Sequence, residues 1–143
     1  MGRIRWGRVL LGAFLAEASV MAVFFLLLGL AWLAGVPGLA APMSPLDFAD
    51  ALIASFISVY IFTLWVARPL ASGFVAHGVL VALVAMLLFL VMLGATAGSV
   101  QQPLLYWVAH GLKFAGGIAG GITAARRAAS YARASLRSDT AAP

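Results

Sequence analysis

The stretch YWVAHGLKFAGGIAGG, residues 106–121, decides how the chain is read. It has the length and apolar content of a helix that crosses a bilayer, yet it carries His110 and Lys113 near its middle. A cation in hydrocarbon is costly and is kept where it faces protein or a water-filled cavity. At helical spacing His110, Lys113, Gly117, Gly120 with Gly121, and Ala124 fall on one stripe. The segment also holds two GxxxG patterns, Gly116/Gly120 and Gly117/Gly121, whose small residues let neighbouring helices approach closely. Lys113 is therefore expected on a packing face, turned toward an acidic partner and away from lipid.

The rest of the chain supplies the setting. Its 143 residues are 64% hydrophobic and 9% charged, with a mean hydropathy of +1.09. A soluble domain of this size has no interior large enough to hide so much apolar surface, so the composition is that of an integral membrane protein. Four apolar stretches, about 9–34, 48–66, 73–93 and 104–124, each approach the ~20 helical residues needed to cross the hydrocarbon core. The alternation of membrane β-strands is absent. The expected fold is all-α: one polytopic domain of four transmembrane helices, with a basic tail over 125–143.

Orientation follows from the arginines. Arg3, Arg5 and Arg8 precede the first span, Arg68 separates the second from the third, and Arg126, Arg127, Arg133 and Arg137 follow the fourth. The loops after spans one and three hold no Lys or Arg. Positive charge of this pattern marks both termini and the middle loop as cytoplasmic. Trp6 and Trp65 then fall at the inner interface, and Trp32 and the Tyr106–Trp107 pair at the outer one. Arg3, Arg5, Arg8, Arg68, Arg126 and Arg127 are expected against anionic headgroups, so the basic balance implies a lipid partner and not nucleic acid. The opening GRIRWGRVLLGAFLA is basic and then apolar like a signal peptide. Its apolar run is too long for one and contains Glu17, so it reads as an uncleaved first helix. Arg outnumbers Lys eight to one in an Ala- and Gly-rich chain, the bias of a GC-rich bacterial genome. The expected location is the bacterial cytoplasmic (inner) membrane.

Between the spans, GVPGLAAPMSPLD is too short and proline-rich to fold by itself. It ends in Ser44-Pro45-Leu46-Asp47, which reads as an N-cap, a proline at the first helical position and an acid in the first turn. The short loop ARPLAS makes spans two and three a tight hairpin. Pro103 is placed to start span four, and the Ala/Arg-rich tail continues its helix before fraying near SDTAAP. Arg126, Arg133 and Arg137 share a helical stripe suited to lying on headgroups. A shift of 60 residues lays Arg8–Ala34 on Arg68–Gly94 with nine identities in 27 positions, whereas span two on span four gives three in 24, the level of chance. Two tandem hairpins related by a parallel repeat are an expectation that rests on the first helix pair. That shift sets Glu17 on His77 and Asp50 on His110.

Five ionisable residues belong to the spans: Glu17, Asp50, His77, His110 and Lys113. Counting from the middle of each apolar stretch puts Lys113 near the midplane. Glu17 and His77 fall at a shared depth toward the cytoplasm, and Asp50 and His110 at nearly matching depths on the outer side. Lys113 reaches Glu17 with its long stem; Asp50 is the competing acid. Asp47, Asp50, Ala54 and Ser58 make a second polar stripe. Two uses fit these groups. They fix which helix meets which, or they pass protons, since intramembrane carboxylates with histidines are the parts of a relay. The packing use is expected, because the four spans together hold only two acids, Glu17 and Asp50.

Other chemistry finds little support. There is no cysteine, hence no disulfide, thiolate metal site or cysteine nucleophile. The carboxylates and histidines lack metal-ligand spacing. Ser55 or Ser58 with His110 and Asp50 has no nucleophile elbow, and GGIAGG lacks the strand and lysine of a phosphate loop. Neither an enzyme nor a bound cofactor or metal is expected.

The strings LLGAFLAE in span one, VAHG in span three, and HGLKFAGGIAGG followed by Arg126-Arg127 in span four resemble the pattern of small uncharacterised bacterial four-helix inner-membrane proteins. The resemblance implies a four-helix inner-membrane protein with both ends inside. It carries over no activity and no functional residue. The expected function is a non-enzymatic structural or accessory bundle that self-associates or joins a larger membrane complex. The alternative is a small homo-oligomeric transporter or proton-coupled channel, since four helices enclose little space by themselves.

Overall fold

The computed structural model of the chain describes residues 4–36, 50–95 and 103–140, and every regular element within them is helical. Arg3, the Ser44–Asp47 capping sequence and most of the third loop lie outside the described residues. Helix α1 covers Trp6–Leu33; a π-helical turn over Asp50–Ala54 leads directly into α2, Ser55–Ala67; α3 covers Phe74–Ala95 and α4 Pro103–Thr140.

The ends of these helices have local causes. After α1, Gly35 takes φ +68. Its N–H donates to Trp32 O at 3.1 Å and that of Val36 to Ala31 O at 3.1 Å. This paired closure satisfies the last free carbonyls and depends on a residue that tolerates a left-handed backbone. Pro69 follows α2 and cannot continue its hydrogen-bond ladder. Gly73, at φ +73, turns the chain into α3, where His77 N–H donates to Gly73 O at 3.1 Å. Helix α4 opens on Pro103, where a missing N–H is no loss. It runs for 38 residues because its Ala/Arg-rich second half is made of strong helix formers.

Two helices are long and apolar enough to cross a membrane: Trp6–Leu33, with a mean hydropathy of 2.3, and Phe74–Leu93, with 2.7. The apolar helix Leu52–Ala67 is shorter. Helix α4 has ample length, but His110, Lys113 and the glycines between 111 and 121 dilute its hydropathy. Of the four apolar stretches, two therefore meet the demand for a span by length and composition alone.

Helix α1 packs on α2 and α3, and α4 packs on the same two. Helices α2 and α3 also touch, so the cross-section is a rhombus with α1 and α4 at its far corners. Helices α1 and α3 run one way and α2 and α4 the other. Gly12 of α1 lies over Val66 of α2 and Val81 of α3, whereas farther along α1 Ser19 meets Ser58. The core is built of Val9, Ala13 and Ala16 from α1, Val59 and Val66 from α2, and Val81, Ala82 and Ala85 from α3. Such short side chains bring the backbones together and gain dispersion contacts. The start of α1, the α2–α3 loop and the C-terminal half of α4 meet at one end of the bundle. There Arg8 stacks over Trp65 with its guanidinium carbon 5.2 Å from the ring centre, and Gly121 lies against the first residues of α3.

Candidate functional site

The stripe on α4 is buried along its length: His110, Lys113, Gly116, Gly117, Gly120, Gly121 and Ala124 all face protein. The two GxxxG patterns serve two neighbours. Gly116 and Gly120 lie against α2, where an added Cβ on Gly120 would come within 2.9 Å of Tyr60 O. Gly117 and Gly121 lie against α3, where an added Cβ on Gly121 would come within 2.6 Å of Val75 Cα. With no side chain on either face, α4 sits in the trough between α2 and α3. The pattern that spaces glycines by four thus supplies two contact faces about 100° apart, one per neighbour.

Above the glycines, Lys113 Nζ donates to Glu17 Oε1 as an ion pair. Side chains on a helix lean toward its N-terminus, so the lysine stem on α4 leans toward the level of His110 and away from the glycine contacts. The Lys113 side chain is 4% exposed and that of Glu17 13%, so the pair is closed. Phe89 of α3 lies over it, with its ring centre 5.4 Å from the ammonium. One turn away, His110 is boxed by Phe89 and Tyr106, with ring centres 5.3 and 4.3 Å from its own, both edge-on. His110 Nδ1 is buried without a hydrogen-bond partner among the described residues. Two residues beyond Glu17, Ser19 Oγ donates to Ala16 O at 2.8 Å and lies 3.0 Å from Ser58 Oγ, a polar tie between α1 and α2. An apolar recess of about 220 Å³ opens beside Glu17 between α1 and α3, walled by Phe14, Met21, Leu88 and Met92.

Glu17, His110 and Lys113 are thus brought together, and His77 is not. The expectation that Glu17 and His77 share a depth is overturned. His77 Nε2 accepts from Arg5 N–H at 3.3 Å, and its Nδ1 lies 2.8 Å from Gly73 O. Arg5 precedes Glu17 by twelve residues, which is about 18 Å along a helix. Counting from the middle of an apolar run assumes that all helices are centred at one height. Here α1 starts at Trp6, below the apolar stretch, and α3 starts only at Phe74. Level partners on α1 and α3 therefore differ by 72 in number, as Arg5 and His77 do, and not by the 60 of the sequence repeat. The buried histidine brackets the entry of α1 to the α2–α3 turn. Nε2 accepting from a backbone N–H fixes the neutral tautomer whose Nδ1–H donates to the Gly73 carbonyl.

Asp50 opens the π-helical turn, and its side chain lies outside the described part of the structure, as does Asp47. The stripe drawn through Asp50, Ala54 and Ser58 assumes α-helical spacing, which the turn replaces with the wider i→i+5 pattern. Among the described residues no three His, Asp or Glu side chains gather closely enough to share a metal ion. Phe89 and Ser19 carry no signal in the sequence, and Tyr106 reads there as an interfacial anchor and not as a neighbour of His110, because an aromatic or a serine in an apolar run says nothing of its partner. Thr63, buried between Gly78 and Gly120 with no partner for Oγ1 among the described residues, is a further example.

Comparison with known proteins gives no match: no family model, no curated protein and no solved structure is significantly similar to the chain.

Proposed function

We propose that the chain is a four-span protein of a bacterial inner membrane, with both termini on the cytoplasmic side, whose bundle has a structural or accessory role. Large apolar side chains stand exposed on every helix: Phe25 and Leu26 on α1, Ile57 and Ile61 on α2, Leu87 and Val91 on α3, Leu104 and Trp107 on α4. Outward apolar faces on all four helices fit lipid, or a neighbouring membrane helix, far better than water. Glycine and a buried lysine lower the hydropathy of α4 where it meets protein, which leaves its outer face apolar.

The observation that carries the role is the closed Glu17–Lys113 pair. A pathway for ions needs charged groups in contact with water, whereas this pair is shut between Phe89 and the bundle. The recess beside Glu17 is walled by apolar side chains. An ion pair of this kind specifies which helices belong together. Such a bundle is suited to self-association or to docking in a larger complex, and it performs no chemistry of its own.

A second reading, a proton-coupled transporter working as a homo-oligomer, draws on His110 Nδ1, buried and unpartnered beside the lysine. Reconstitution separates the two. Proteoliposomes of the structural protein hold a proton gradient as well as protein-free ones do. A flux that Glu17→Gln abolishes would transfer the assignment to the relay.

A further inference from the structure

At the arginine-bearing end, the last turns of α2, the loop that follows and the C-terminal half of α4 enclose a groove of about 550 Å³. It is graded along its length. Leu64 and Phe74 form part of its wall, Trp65 stands at the level where the chain leaves α2, and Arg68, Arg127 and Tyr131 line the outer part. Arg68 and Arg127 are exposed, and Arg8 stacks on Trp65, adding a third cation beside the groove. No acid lines it. Of the four acids in the chain, Glu17 is engaged by Lys113. Asp50 precedes α2, toward the opposite end of the bundle, with Asp47 only three residues before it in the chain, and Asp139 lies twelve residues beyond Arg127, about 18 Å along a helix. The neutralising charge for this groove must come from another molecule.

We infer that the groove is a binding site for one anionic phospholipid, with its phosphate between Arg68 and Arg127 and an acyl chain lying along Leu64 and Phe74. The inference rests on the membrane reading above. Three features select a lipid over a soluble anion. The walls change from apolar to cationic within about two helical turns, which is the polarity profile of a phospholipid at its glycerol backbone. Trp65 stands at the transition and Tyr131 about one turn beyond Arg127, and such rings favour the headgroup level. The volume lies within the roughly 300–1,000 Å³ usual for small-molecule sites. Guanidinium forks match phosphate oxygens two at a time, which a lysine in the same place would not do.

The test uses the full chain with Trp6, Trp32 and Trp107 changed to Phe, so that Trp65 alone fluoresces. It is reconstituted in phosphatidylcholine vesicles containing either brominated phosphatidylglycerol or brominated phosphatidylcholine. The brominated anionic lipid is expected to quench Trp65 with at least an about fivefold higher apparent affinity, the gain attributable to one surface arginine. R68Q together with R127Q should remove the preference, and R133Q with R137Q should leave it. Equal quenching by the two lipids, or a preference that survives R68Q/R127Q, would overturn the proposal. So would inorganic phosphate abolishing the preference where chloride of equal ionic strength does not, since the site would then belong to a soluble anion. A companion chain retaining only Trp107 reports on the membrane reading itself. If bromolipid leaves Trp107 unquenched, that reading fails and the lipid site falls with it; a quenched Trp107 with an indifferent Trp65 overturns the lipid site alone.

Discussion

Lys113 on α4 reaches Glu17 on α1 across the long diagonal of the bundle, joining two helices that do not pack on each other. Helices α2 and α3 are held to α4 by backbone approach at glycine, and to α1 by small core side chains. Only the ion pair links the far corners directly among the bonds described. A polar contact in that position ties together the two helices that packing alone leaves apart.

The glycine contact makes a graded prediction. An added Cβ on Gly78 would lie 2.8 Å from the carbonyl carbon of Gly117, and one on Gly117 would lie 2.9 Å from that of Gly78. Backbone cannot yield as a side-chain tip can, so Gly78→Ala and Gly117→Ala must each push α3 from α4. The cost expected of such overpacking is about 1–3 kcal/mol, read as a lower unfolding midpoint in detergent. Gly111→Ala, with open space around its Cβ position, should leave the midpoint unchanged or raise it. Equal effects at 111 and 117 would count against the close approach.

His77 offers a test at the other end of the molecule. His77→Leu removes an acceptor for Arg5 N–H and a partner for Gly73 O. Faster amide hydrogen exchange over Arg5–Arg8 is expected, together with a loss of about 1–3 kcal/mol from polar groups left unpaired. Exchange unaltered in that turn would show that the bracket has no hold on α1.

Topology can be read with cysteines, because the chain has none. A membrane-impermeant maleimide applied to sealed, right-side-out cells should label Gly35→Cys and Ser99→Cys. It should reach Ser72→Cys and Ser130→Cys only after permeabilisation. Label on Ser130→Cys in sealed cells would place α4 the other way round and remove the four-span arrangement.

Much of this architecture is written in local sequence. Pro103 starts α4, the loop with Pro69 and Gly73 makes the hairpin, and Gly116, Gly117, Gly120 and Gly121 of α4 face its neighbours. Those features depend on residues a few positions apart, so spacing suffices to find them. The partnership of Lys113 with Glu17 was within reach because a long stem tolerates an error in depth of a turn. His77 was misplaced because its depth depends on how α1 and α3 are staggered, which is set by long-range packing around Gly12, Val66 and Val81. The π-helical turn at Asp50–Ala54 was likewise invisible, as one extra residue in a turn leaves no mark on composition. The apolar outer face of α4 is masked in any average over its residues, since the buried polar stripe cancels it.

The claim on which the account turns is that Glu17 and Lys113 form a closed pair that locks α1 to α4, and a double-mutant cycle measures it most directly. Lys113→Met leaves a buried carboxylate, and Glu17→Gln leaves a buried ammonium. Breaking a buried pair from one side costs about 3–5 kcal/mol, while replacing both partners often costs little. The account predicts that each single change lowers stability in detergent by several kcal/mol and that the double change recovers most of the loss, giving a coupling of at least about 2 kcal/mol. Additive single effects, with no recovery in the double variant, would contradict it.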